Sequence, residues 1–224
     1  GLGGLLTDNQ CEKAEFAFCG IGDVLSRYVY PLGISTEVCD GMASLSGYSV
    51  GSGASCWSAL EQFTRFAGGI TPRFSCDGRL ILSKGGTGKK LIIDGESLTE
   101  LRVNGRRYGV ITEVLVKDAD GRRQLVTNKS PKIKGSTARR VVSVPRKTSW
   151  DAMRYTGKYQ IDKSMEDSFA VEGTLCTPFA AFPGDTVVLS VLPEIDGEYF
   201  VRESISSAGE NGAETTLTLV NREN

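Results

Sequence analysis

From about residue 90 the chain alternates apolar and polar residues in short runs, the period-two pattern of strands with one buried face. "KLIIDGESLTELRVNG", "YGVITEVLVKDADGRRQLVT" and "ARRVVSVP" combine β-branched residues with Asp-Gly and Asn-Gly punctuation, as antiparallel pairs do. One helix interrupts them, "SWDAMRYTGKYQIDKSM", with Ser149 as its N-cap. The alternation resumes in "SFAVEGTLC", "DTVVLSVL", "EYFVRESIS" and "ETTLTLV". In the last hairpin Tyr199, Val201 and Ile205 fall on one face of the first strand, Leu217 and Leu219 lie on the second, and Ser206 to Glu214 reads as a long polar loop. Many short strands with turns at close spacing imply a β-barrel or a sandwich, which must hide its edges by closure or by partners.

The first 84 residues mix two periods. "AEFAFCG" alternates like a strand, and "IGDVLSRYVYPLG" sets Val24, Leu25, Tyr28, Val29 and Leu32 on a helical stripe that Pro31 and Gly33 close. In "SCWSALEQFTRFAGG" Ser55 caps a helix whose Trp57, Leu60, Phe63, Phe66 and Ala67 share a face before Gly68 and Gly69 end it. "RFSCDGRLILS" reads as a hairpin turning at Asp77-Gly78. The expected fold class is α+β, mainly β. Residues 1–84 form a small α/β domain, residues 85–224 an antiparallel β-barrel with one helix, and "SKGGTGKK" (Ser83 to Lys90) a flexible, solvated linker.

With 40% hydrophobic residues, 224 residues suffice for a proper core. The net charge of −1 gives no overall attraction to nucleic acid or an anionic membrane, but the charge is unevenly spread. Residues 1–88 sum to −2, 89–147 to +9 and 148–224 to −8. No apolar run of bilayer length occurs, so no membrane insertion is expected. The opening "GLGGLLTDNQ" lacks an initiator Met and a signal peptide's basic flank and reads as a trimmed end, which leaves room for an upstream domain.

The cysteines at 11, 19, 39, 56, 76 and 176 include no CxxC pair and the chain has no histidine, so no metal and no cofactor is expected. Free, mostly buried thiols of a reducing cytoplasm are. Three strings imitate catalytic motifs. Gly47-Tyr48-Ser49-Val50-Gly51 fits the hydrolase G-x-S-x-G, yet a Ser-His-Asp triad needs an imidazole the chain lacks. "SKGGTGKK" departs from a phosphate loop at both ends, with Ser83 for the first Gly and Lys90 for the Ser/Thr. Glu166/Asp167 and Glu194/Asp196 are neighbours on loops, where solvated turn residues are the ordinary reading, rather than carboxylates facing a cleft. The basic stretch with Arg106, Arg107, Arg122, Arg123, Lys132, Lys134, Arg139, Arg140, Arg146 and Lys147 has little aromatic interleaving, which favours charged outer strand faces over nucleic-acid readout. No catalytic residue is expected.

In "YSVGSGASCWSALEQFTRFAGG", Tyr48, Val50, Gly53, Ser55, Trp57 and Leu60 resemble, in order, the opening of a LysM module, with the tryptophan packing inward. The longer pattern into "ITPRFSCDGRLILSK", the upstream "GIGDVLSRYVYPLGI", and the closing "PGDTVVLSVLPEIDGEYFVRESISSAGENGAETTLTLVNREN" are similar to contractile-phage baseplate hub proteins of the late control gene D type. The resemblance covers most of residues 15–84 and 150–220, and the first tube barrel of that family is missing or survives only as a strand near Ala14 to Cys19.

That family implies a LysM-like part in residues 1–84 and a tube-type barrel in 85–224, closed by the last hairpin. It implies a homotrimer joining tail tube to spike in a virion tail assembled in the bacterial cytoplasm, with a lumen for DNA passage. Assembly residues would then lie on the strands around Val187, Val191, Tyr199 and Val201 and in the LysM-like core around Trp57, Leu60 and Phe63. A peptidoglycan-binding LysM module is the alternative, and a hydrolase the third.

Overall fold

The computed structural model describes residues 2–106, 109–129, 138–210 and 212–221. In chain order it contains α1 (Leu2–Asp8), β1 (Ala14–Phe16), α2 (Ile21–Tyr28), a 3₁₀ turn (Tyr30–Leu32), β2 (Thr36–Val38), β3 (Tyr48–Val50), α3 (Cys56–Gly68), β4 (Arg73–Phe74) and β5 (Leu80–Leu82). There follow β6 (Lys90–Asp94), β7 (Leu98–Gly105), β8 (Glu113–Asp118), β9 (Arg123–Thr127), β10 (Arg139–Val144), α4 (Trp150–Glu166), β11 (Phe169–Leu175), β12 (Thr186–Ser190), β13 (Gly197–Gly209) and β14 (Gly212–Val220). The class is mixed α+β with more strand than helix.

The chain forms two compact units, and a single cut near residue 84 does not describe them. The first takes residues 1–84 with 111–161, the second 85–110 with 162–224. The first carries 18 Lys/Arg against 12 Asp/Glu, the second 8 against 15, so the units hold net charges of +6 and −7.

In the first unit, α3 begins where Ser55 accepts a hydrogen bond from the Ser58 amide at 3.1 Å and ends at Gly69, whose φ of 62° is the left-handed cap that glycine permits. Leu60, Phe63 and Ala67 are fully enclosed. Trp57, expected in the core, is only half-buried and lies stacked on Phe74 with centroids 6.1 Å apart, because Cys56 and Ala59 occupy the innermost line of the helix. The opening residues are no idle end. They form α1, and Leu6 is completely buried in the same core.

The second layer of this unit is the sheet β10-β8-β9. β8 and β9 form the expected antiparallel hairpin, whereas β10 joins β8 in parallel. Val114 and Val116 are fully buried on one face, and α4 covers that face. Helix and sheet approach so closely that a Cβ on Gly157 would stand 2.5 Å from Val126 Cγ2, a distance no side chain tolerates. Ser149 caps α4 as expected, its hydroxyl accepting from the Ala152 amide at 3.2 Å.

The second unit is one sheet of order β6-β12-β13-β14-β11-β7, curled into a half-barrel. Its two edges, β6 and β7, are neighbours in sequence, and the hairpin expected between them does not form. β6 pairs in parallel with β12, and β7 pairs with β11. The curl follows from chain length. Asp94 to Leu98 is four residue steps, at most about 14 Å, whereas the edges of a flat six-stranded sheet stand about 24 Å apart. The last hairpin therefore does not close the barrel. β13 and β14 are its central strands, and the open seam runs between β6 and β7.

Inward-facing residues line five of the six strands: Ile93 on β6, Val187 and Leu189 on β12, Tyr199 and Val201 on β13, Leu217 and Leu219 on β14, Val171 and Leu175 on β11, while Leu98 and Leu101 of β7 pack at the margin. A register shift between Val201 and Glu203 breaks the alternation of β13. One extra residue reverses the parity beyond it, so Ile205, expected beside Tyr199 and Val201, faces outward and is 56% exposed. The polar loop is also shorter than expected, because the ladder continues to Gly209 opposite Gly212.

Candidate functional site

The catalytic look-alikes take structural roles. Ser49 sits mid-strand in β3, paired in register with Glu15 of β1 rather than on the strand-to-helix turn that exposes a nucleophile. Glu15 is held below the ordinary carboxylate range by its hydrogen bond and charge contact with Lys13 at 2.9 Å, which makes it a poor base. Asp196 caps the backbone amides of Val191 (2.6 Å) and Leu192 (2.9 Å), while Asp167 pairs with Lys163 and Arg202, each at 3.3 Å.

Residues 86–89 of the Gly-rich string are docked, not loosely solvated. The Thr87 hydroxyl donates to the carboxylate of buried Asp185, the Thr87 amide donates to Gly184 O at 3.0 Å, and a Cβ on Gly86 would stand 2.8 Å from the Gly184 carbonyl oxygen. Asp185 also accepts the Phe182 amide at 2.9 Å, so it is the hub of the turn that launches β12. This is why the Pro183-Gly184-Asp185 turn and the Gly-rich string go together.

Two of the buried thiols, Cys11 and Cys19, are poor nucleophiles. Cys11, Cys19 and Cys56 are buried, Cys39 is half-buried, and Cys76 and Cys176 are exposed. Burial and a hydrogen bond to Cys56, whose sulfur is 3.6 Å away, push the Cys11 thiol up to about 12, and burial raises Cys19 to about 11. At neutral pH both stay protonated. Tyr48 is likewise raised by burial, its hydroxyl donating to Ala59 O at 2.5 Å. No group of three metal-ligating side chains occurs among the described residues, and no described helix is long and apolar enough to cross a membrane.

A groove of about 460 Å³ opens in the first unit between Phe16, Tyr48 and Phe66, with Glu15, Gln62 and Arg146 at its rim. Asp118 organises the nearby β8–β9 turn. Burial works to raise its carboxyl, but hydrogen bonds from Arg122 (2.6 Å to Nε, 2.9 Å to the amide) outweigh it and hold it below the usual range. The same guanidinium donates to Thr148 O at 2.8 Å, tying that turn to the start of α4.

The expected assembly residues fall into two separate cores. Leu60 and Phe63 lie in the first unit, with Trp57 at its margin, and Val187, Tyr199 and Val201 line the curled sheet, with Val191 packed against them. Tyr199 donates to Ile195 O at 2.8 Å and stacks on Phe169. These side chains set the shape of a surface rather than form it. What reaches the surface is the far end of β13 and β14, beyond the part of β13 that β12 covers. Of the basic stretch, Arg107, Lys132 and Lys134 lie outside the described residues. Arg123 and Arg139 stand exposed on strands β9 and β10.

No family model matches the chain, and no curated protein sequence does. Among solved structures, the fold is similar to the tail protein from Neisseria meningitidis MC58 over 97% of this chain and 72% of that one, with a TM-score of 0.74 and 15% identity. It is similar to the 43 kDa tail protein of prophage MuSo2 from Shewanella oneidensis over 92% of this chain and 67% of that one, at a TM-score of 0.68 and 18% identity. A chain in the virion of a native gene transfer agent particle matches over 90% of this chain and 46% of its own, at a TM-score of 0.55 and 12% identity. At such identities it is the fold that is shared, and it is shared along nearly the whole chain.

Proposed function

We propose that this chain is a structural, non-catalytic component of a phage, prophage or gene-transfer-agent tail, a baseplate hub part that joins tail tube to spike as a homotrimer. In this reading the strand, turn and helix around Trp57, Leu60 and Phe63 are the LysM-like insert, and the curled sheet is the tube-type element, with a lumen able to pass DNA. The observation that carries it is the likeness of 97% of the chain, both units included, to a tail protein. The half-barrel supports it physically, since its edge strands β6 and β7 leave backbone groups that a neighbouring subunit can satisfy.

The test is to tag the chain in a cell that produces the particles and to locate it by immunogold electron microscopy. Label at the tail end is expected. Particles without label, with all of the chain free in solution, would refute the assignment. Light scattering on the purified chain should report a trimer.

A further inference from the structure

The face of β10-β8-β9 that points away from α4 carries exposed apolar side chains. Register places Val141, Leu115 and Leu125 side by side across its three strands, and Val141 and Leu125 are 54% and 50% exposed. One neighbouring row carries Lys117 and Arg123, and the other carries Arg139 ion-paired to Glu113. The result is an apolar stripe with one net basic flank and one charge-paired flank.

The distal β13–β14 hairpin is its opposite. From Ser206 to Gly209 on one strand and Gly212 to Glu214 on the other, the two strands have only each other as strand partners among the described residues, because β12 stops pairing at Phe200 and β11 at Thr215. A two-stranded ribbon is marginal in water and gains from a surface to lie on. Just before this ribbon and beyond the bulge, Ile205 faces outward, flanked by Glu203 and by Glu214, which accepts from Ser207. No Lys or Arg occurs from 203 to 221.

We infer that the acidic hairpin around Ile205 of one copy docks on the Val141–Leu115–Leu125 stripe, with its net basic flank, of a second copy. Three observations select this partner. Val141, Leu125 and Ile205 are each about half exposed. Each surface centres on an apolar residue, and their net flanking charges are opposite, as are the net charges of the units that bear them. The two surfaces differ, so the contact is head-to-tail and builds a ring when the rotation closes. The inference rests on the assembly reading above and names the surfaces that assembly would use.

Analytical ultracentrifugation of the full chain tests it. The oligomer should weaken steeply as NaCl rises from about 50 to about 500 mM. Leu125→Glu and Ile205→Glu, both at exposed positions that spare the cores, should each weaken association by about 100-fold or more. Mixed in equal amounts, the two variants should form a one-to-one dimer and stop there, since the L125E copy keeps a working hairpin and the I205E copy a working stripe. A mixture that stays monomeric overturns the inference. So does an oligomer indifferent to both substitutions, and that outcome leaves the assembly reading standing. A wild-type chain that remains monomeric at every concentration overturns both.

Discussion

The three-stranded sheet β10-β8-β9 and the six-stranded sheet hide apolar faces by opposite means. The first borrows a helix, and the fit depends on a single missing side chain at Gly157. The second rolls up, so its strands cover one another with alternating residues such as Leu189, Val201 and Leu217. A borrowed cover protects one face and leaves the other bare, which is why Val141 and Leu125 stand exposed. A rolled sheet that stops short of closure encloses its face but leaves a seam, here between β6 and β7. The two solutions should fail differently.

The rolled sheet is broken most severely from inside. Leu217→Ala should cost the second unit about 3 to 4 kcal/mol, since the cavity cannot collapse against neighbouring strands. Urea unfolding followed by far-UV circular dichroism would measure it. The borrowed cover is broken by adding volume. Gly157→Val should cost about 3 kcal/mol, by overpacking against Val126 and by placing a β-branched residue in α4. Both tryptophans, Trp57 and Trp150, belong to the first unit, so their fluorescence should register this change and largely ignore Leu217→Ala. Equal fluorescence responses to the two variants would end the contrast.

Smaller effects refine it. Asp185→Ala strips the acceptor from Thr87 and the Phe182 amide and should cost the rolled sheet about 2 kcal/mol, read as a shift of the urea midpoint. Ser55→Ala removes the α3 cap and should cost about 1 kcal/mol, read from the tryptophan transition. Asp118 adds a dependence on pH. Its folded pKa lies below the unfolded value, so its stabilisation is complete above the unfolded value and is lost as pH falls through the folded one. Asp118→Asn should lower the tryptophan-detected urea midpoint at neutral pH and flatten its decline in acid. An unchanged acid limb would remove Arg122 and Asp118 from the account of that turn.

Local features were legible wherever the cause was local. Ser55 and Ser149 as caps, Gly69 as a helix end and the Asp77-Gly78 turn all depend on a few adjacent residues. Strand identity was legible as well, because alternation records which side chains turn inward. Partner choice was not. "KLIIDGESLTELRVNG" has the punctuation of a hairpin, yet its halves lie on opposite edges of a rolled sheet, since pairing with β12 and β11 satisfies more backbone groups than pairing with each other. The face of Ile205 was misread because a bulge at Arg202 is a property of the ladder, and alternation alone cannot register one unpaired residue. Likewise "SKGGTGKK" reads as a linker until the buried carboxylate of Asp185 gives Thr87 something to hold.

By itself the sequence determined helices α2, α3 and α4, most of the strands and the absence of a histidine-dependent active site, because those follow from short-range periodicity and from residue chemistry. Only the tertiary structure decided that residues 111–161 pack with the first unit, that the opening residues are folded into a core, and that Ile205 and the Val141–Leu115–Leu125 stripe lie on the surface. Those outcomes turn on which distant segments bury each other's apolar area. That is a competition among long-range pairings, and local pattern does not rank its winners.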